Sequence, residues 1–285
     1  MLRYVGLALV VFTATGLAVA LGVVLVQAVP DRDPLGLTVF DGIAAVGGAA
    51  PRLRAVLQDA DTGKPIGATS LTVRFADGWT GRTWTSDNGI SSSVGPGGLA
   101  AGPHDYAIGL PEATPRLDVY AHGTVWVRPA DTPVVWIDAA AIVPMGQAAV
   151  PAAAPDAPAA RGVLDALKTL AVGRGPVYLV RAEAAGYASA RRALGERGAP
   201  PGPAFWIRPA DGPSRLQGLR GVWPRVGAAL VCTPDLAQAC EALGVPAFPV
   251  PPAGSAEPRA VIVGAWRDAI ERWPVPLPAG TVRER

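Results

Sequence analysis

The feature that most constrains this chain is a long stretch without charge. From Tyr4 to Pro30 there is no Asp, Glu, Lys or Arg, and Val5–Val29 is nearly all Val, Leu, Ala and Gly. About 20 apolar residues rising ~1.5 Å each cover a hydrocarbon core of roughly 30 Å, so residues 1–30 are expected to form a single-pass transmembrane signal anchor. The run exceeds the roughly 7–15 apolar residues of a cleavable signal peptide. Val26-Gln27-Ala28 still offers small residues at a cleavage position, which leaves a form secreted after cleavage at Ala28 as the alternative. Arg3 precedes the span, while Asp31, Arg32 and Asp33 follow it. The positive-inside bias then directs the C-terminal domains to the periplasm or exterior, with the membrane as the partner of Tyr4–Pro30.

Composition removes several function classes. Of 285 residues, 25 are basic and 23 acidic, a net charge of +2 that gives no electrostatic footprint for nucleic acid. Two histidines and two cysteines are too few for a zinc site of the usual ligand count or for a disulfide framework. Cys232 and Cys240 stand eight positions apart across an expected strand–helix turn, and their redox state stays open. Gly95-Pro96-Gly97-Gly98 lacks the lysine of a phosphate-binding loop. Both histidines, His104 and His122, fall in the middle third, which suggests no Ser-His-Asp arrangement.

Residues 31–51, punctuated by Pro30, Pro34, Gly36, Gly47, Gly48 and Pro51, read as a spacer. Its apolar run Leu35–Val46 is the exception, able to pair with the next domain instead. Residues 52–130 then alternate in short runs at Arg54–Gln58, Ser70–Phe75, Arg82–Thr85, His104–Leu110, Leu117–Tyr120 and Thr124–Arg128. Turn residues separate them, so this part is expected to be a β-sandwich. Asp59 and Asp61 belong to one of those turns; the following Gly63-Lys64 breaks a calcium-loop pattern. Trp79, Trp84 and Trp126 are expected to pack in the core or on a sheet face. The order Asp-x-x-x-Gly-Lys-Pro-Ile-x-Gly-Ala, strand, Thr-x-Ser-Asp-Asn-Gly, strand, Gly-Pro-His-Asp-Tyr resembles transthyretin-like and carboxypeptidase-regulatory-like β-modules.

Residues 131–275 change period again. Val134-Val135-Trp136-Ile137 is an unbroken apolar run of the kind a strand covered on both faces shows. An Ala/Pro-rich insert follows at residues 144–160. Helices are expected at 163–171, 187–197, 216–223 and 236–243, alternating with strands at 177–180, 204–207, 228–232 and 247–250. Trp266, Ile270 and Trp273 share one helical face, and residues 276–285 form a tail. The expected class is α+β multidomain: transmembrane helix, β-sandwich, then a three-layer α/β parallel sheet. Sites in such sheets lie beyond the carboxyl ends of strands, which points to Asp138, Arg181 and Cys232-Thr233.

Val-Val-Trp-Ile-Asp138, Pro176-Val-Tyr-Leu-Val-Arg181, the Gly198-Ala-Pro-Pro-Gly202-Pro203 turn and Ala228-Ala-Leu-Val-Cys232-Thr233-Pro-Asp235 follow one another in a telling order. Their layout is similar to that of the lipin-related and actin-patch-associated phosphatidate phosphatases of the haloacid dehalogenase (HAD) superfamily. The resemblance implies a nucleophilic aspartate at Asp138, a general acid two residues on, a phosphate-holding hydroxyl near Arg181, a lysine aligned with Arg215, and an acidic last motif at Cys232-Thr233. In this chain the acid position is Ala140, Arg181 is not a hydroxyl, and Asp235 is a displaced carboxylate. Loss of a general acid alone costs about 10²–10⁴ in rate. The expected function is therefore a membrane-anchored, extracytoplasmic binding or interaction protein with a catalytically degenerate HAD-like domain, taking a phosphate-ester or protein ligand. No cofactor is expected. The alternative is a magnesium-dependent phosphatase acting through Asp138, with Asp138 and Asp235 as metal ligands and Arg181 and Arg215 as relict phosphate contacts.

Overall fold

A computed structural model describes residues 35–111, 120–144, 158–171, 173–208 and 211–253. The first strands come from the expected spacer: β1 (Leu35–Phe40) and β2 (Gly42–Ala45). They are followed by β3 (Arg52–Asp59), β4 (Ser70–Phe75), β5 (Thr80–Trp84), β6 (Ile90–Val94), β7 (Gly102–Gly109) and β8 (Tyr120–Arg128). One sheet has the order β1-β3-β6 and is antiparallel; the other has the order β2-β8-β7-β4-β5, with β2 parallel to β8. Period-two alternation turns Leu53, Ala55 and Leu57 of β3 toward Leu71 and Val73 of β4, and with Tyr106, Ile108, Val125 and Val127 they fill the core. The backbone at Gly89 is left-handed (φ +71°) and presses on the Leu57 carbonyl, so only glycine closes the turn into β6. In the 59–64 turn, Asp59 Oδ1 accepts from the backbone N–H of Asp61 and of Thr62 and from the Thr62 hydroxyl. Trp79 packs edge-on against Phe75, while Trp84 is exposed on β5.

The second half holds β9 (Val134–Asp138), a 3-10 turn (Ala139–Ala141), α1 (Pro158–Ala171), β10 (Gly175–Arg181) and α2 (Ala184–Glu196). It continues through β11 (Ala204–Ile207), α3 (Gly212–Val222), β12 (Val226–Val231), α4 (Pro234–Ala242) and β13 (Ala247–Pro249). The five strands form a parallel sheet in the order β11-β10-β9-β12-β13. Central β9 is buried on both faces, as its unbroken apolar run requires. Val135 and Ile137 join one cluster with Leu167, Leu170, Tyr187 and Leu194 of α1 and α2. Val134 and Trp136 join the other with Leu216, Leu219, Leu236 and Cys240 of α3 and α4.

The two halves meet along the β11 edge. Phe40 stacks on Trp206 with ring centroids 3.9 Å apart and tilts against Tyr187 at 4.7 Å. Val56 joins Phe40 in the same apolar cluster as α1 and α2. Arg128 lies over Trp223 (5.1 Å) and Trp126 (5.7 Å) and donates to the Pro176 carbonyl at 3.4 Å. Burial lowers that guanidinium to about 10.

This architecture corrects the expected class. Strands dominate the described residues, thirteen against four α-helices. One sheet is antiparallel, one mixed and one parallel, and strands of the first half cover part of the parallel sheet that helices alone would cover in a free-standing HAD- or Rossmann-like three-layer domain. The physical reason is in β1 and β2, whose apolar side chains are buried only by packing against both halves at once. The membrane expectation is corrected as well. No described helix is long and apolar enough to cross a membrane, and the longest, α1, has 14 residues where about 20 are needed. The single-pass anchor and the extracytoplasmic placement derived from it are therefore not supported; Tyr4–Pro30 itself lies outside the described residues, as do Trp266, Ile270 and Trp273.

Candidate functional site

The carboxyl end of the parallel sheet brings together three of the four sequence candidates. Asp138 ends β9 and is 3% exposed. Its Oδ1 accepts from the Ala140 backbone N–H (3.0 Å), capping the 3-10 turn, and its Oδ2 accepts from the Cys232 N–H (3.2 Å). Burial pushes its carboxyl up from the ordinary aspartate range, against the pull of those two N–H groups and of Arg181. Arg181, at the end of β10, makes a forked contact with Asp235: Nη1 to Oδ1 at 3.1 Å and Nη2 to Oδ2 at 2.5 Å. Nη1 also donates to the Thr233 hydroxyl at 2.7 Å. That fork and the Thr233 hydroxyl hold Asp235 down at about 2.

Arg215 is not part of this cluster. It projects from α3, donates to the Trp206 carbonyl at 3.2 Å and lies 4.7 Å from the centre of the Phe205 ring. Burial, followed by the like charge of Arg54, lowers it to about 10. It lines a cavity of about 670 Å³ between α3 and the β2–β3 segment.

The two cysteines are free thiols. Cys240 lies in the cluster on the α3–α4 face, whereas Cys232 packs against the cluster on the α1–α2 face, so the sheet stands between them. Burial pushes both thiols up, Cys240 to about 12. A magnesium centre needs several oxygen ligands in octahedral array. Among the described residues no group of three or more His, Cys, Asp or Glu side chains is placed to hold a metal. Asp138 and Asp235 both direct their oxygens at N–H donors, so the residues present do not fit that centre.

Sequence reasoning missed a second buried charge. Asp41, between β1 and β2, pairs with Arg191 of α2 (Nε to Oδ1, 2.9 Å) and accepts the backbone N–H groups of Thr124 (3.2 Å) and Ala204 (3.0 Å). Its own N–H donates to the Tyr187 hydroxyl, which donates to the Ala204 carbonyl. Burial disfavours the Arg191 charge, but Asp41, with Tyr187 and Tyr106, outweighs it and holds the guanidinium above its ordinary value. This knot ties strand 120–128, α2 and β11 to the β1–β2 corner. It borders a cavity of about 460 Å³ that His122, Trp126 and the 199–202 loop also line. In that loop Gly202 presses on the Pro176 carbonyl, leaving no room for a side chain. No signal in the sequence pairs Asp41 with a residue 150 positions away.

No family model and no curated protein matches this chain. Among solved structures it is similar to the periplasmic chaperone SfaE at 10% identity, over 36% of this chain and 66% of that one, with a TM-score of 0.20. It is also similar to a family 123 glycoside hydrolase from Clostridium perfringens at 9% identity, over 73% of this chain and 60% of that one, with a TM-score of 0.17. The chain thus spans less than two thirds of either structure, and similarity at this level carries no functional argument.

Proposed function

We propose that this chain acts by binding rather than by catalysis. The observation that carries this reading is the state of Asp138: each carboxylate oxygen accepts a backbone N–H. Each oxygen keeps a second lone pair, but a nucleophile also needs an open approach; Asp138 is 3% exposed, and an aspartate so buried and so engaged is a structural cap. Arg181 supports the same reading, because its fork is filled by Asp235 and Thr233. The residue two beyond Asp138 is Ala140, which cannot protonate a leaving group.

The test is phosphate release by the full chain from p-nitrophenyl phosphate and from phosphatidate in mixed micelles, with magnesium present. The expected result is release at the rate of a blank, unchanged by Asp138→Asn. Turnover that Asp138→Asn abolishes would overturn the reading and restore a phosphatase acting through that residue.

A further inference from the structure

Arg52 and Arg54 stand two apart on β3, so the strand period puts them on one face, opposite Leu53 and Ala55 in the sandwich core. That face looks across the 670 Å³ cavity toward Arg215 on α3. Arg208 lies near enough for its charge to act on both Arg54 and Arg215. Arg54, Arg208 and Arg215 thus share one neighbouring carboxylate, Asp211, and that carboxylate is already bound by Arg208 at 2.7 and 2.6 Å. Asp41 also borders the cavity, but its oxygens go to Arg191, Thr124 and Ala204. Among the described residues no ion pair joins Arg52, Arg54 or Arg215 to a carboxylate.

Half-burying like charges without a counter-charge is costly, and the cost falls when an anion enters between them. Burial, with the neighbouring arginines adding to it, pushes both Arg54 and Arg215 below their ordinary values. The cavity has the size of a small-molecule site and lies where the two halves meet, a common place for such sites. Its wall is not only charged: the half-buried Ile43 and Val222 supply apolar surface beside the arginines. Guanidinium forks fit the oxygens of phosphate and carboxylate alike, but several uncompensated positive charges favour a dianion over a monoanion.

From this arrangement we infer that the cavity binds a small organic phosphate, its phosphate group held by Arg54 and Arg215 and its apolar body against Ile43 and Val222. The inference rests on the reading of the chain as a binding protein and supplies its ligand class. The site shares no residue with the Asp138–Arg181–Asp235 cluster.

Calorimetric titration of the full chain with phenyl phosphate, inorganic phosphate and benzoate tests it. Saturable binding is expected for phenyl phosphate, tighter than for either other probe. Arg54→Ala should weaken it about tenfold or more, the loss of one charge-assisted contact. Arg54→Lys should recover part of that loss, and Arg181→Ala at the sheet edge should change nothing. Should Arg54→Ala fail to fold, the exposed Arg52→Ala gives the same direction of effect. Absence of saturable binding, unchanged binding in a folded Arg54→Ala or Arg52→Ala variant, or benzoate binding as tightly as phenyl phosphate would overturn the inference. Inorganic phosphate binding as tightly as phenyl phosphate would remove the apolar body from it. Phosphate release during the titration would instead overturn the binding reading, so the two failures are distinguishable.

Discussion

The sheet edge and the arginine cavity contain the same chemical groups in opposite states. At the edge, Asp138 accepts two backbone N–H groups and Arg181 is forked onto Asp235, so each charge is answered from within the chain. In the cavity, Arg52, Arg54 and Arg215 have no carboxylate of their own among the described residues. Position in the fold alone would have favoured the edge, because parallel sheets bind ligands beyond the carboxyl ends of their strands. The difference teaches that charge balance is the better guide here: a satisfied group stabilises the fold, and an unsatisfied one is available to a ligand.

The largest effect expected separates the two regions by stability. Asp138→Ala orphans two N–H groups at a part-buried site, and each unmet donor costs about 1–3 kcal/mol, so a loss of roughly 2–6 kcal/mol is expected in urea unfolding. Binding of phenyl phosphate by the folded fraction should be unaffected. A loss under about 0.5 kcal/mol, the range of an ordinary surface substitution, would show that Asp138 is not the structural cap its geometry describes.

How much of this was legible in sequence follows the same division. Val134–Ile137, Ser70–Phe75 and Ala204–Ile207 declare themselves as strands by apolar run or alternation, and β4 and β11 fall at those bounds. β6 does not, because Ile90-Ser-Ser-Ser-Val94 has no apolar face of its own and is held by its ladder with β3. β1 and β2 were obscured by flanking Pro and Gly, which read as a spacer; the partners that bury Phe40, Trp206 and Tyr187, lie about 150 residues away. That docking is also why the fold class was misjudged. Asp138, Arg181 and Asp235 could be located because they end strands or begin a helix of one local unit. The cavity could not be, because Arg54 and Arg215 face each other only after the two halves have packed.

A smaller effect, of opposite sign, is expected at Arg54. Its half-buried charge is opposed by burial, Arg208 and Arg52 and only partly favoured by Asp211, so removing it gives net relief while losing some packing of its stem. Arg54→Ala should leave the ligand-free protein unchanged or more stable by up to about 0.5 kcal/mol. Unfolding by urea without added phosphate measures this. Destabilisation of more than about 1 kcal/mol would mean that Arg54 is engaged by the fold, erasing the contrast with Asp138.

The smallest effect tests the edge by pH. Asp235 is held at about 2 by the Arg181 fork, below an unfolded value near ~3.9. A carboxyl depressed in the folded state contributes stability that is present above the unfolded value and is lost as pH falls through the folded one. The side chain of Asp235 is 64% exposed, so solvent screens the pair and its contribution is a fraction of 1 kcal/mol. Asp138 runs the other way: its carboxyl is raised by burial, so its share of stability declines as pH rises above the unfolded value. Because Arg181 also acts on Asp138, the comparison is Asp138→Asn against Asp138→Asn with Arg181→Gln at each pH, which removes the Asp138 titration from both proteins. The stability gap between them should be flat above about pH 5, narrow as pH falls toward about 2 and close below it, and it should shrink with added salt. A gap that persists unchanged to pH 2 would assign the role of Arg181 to its bond with the Thr233 hydroxyl, which does not titrate in this range, rather than to the charge of Asp235.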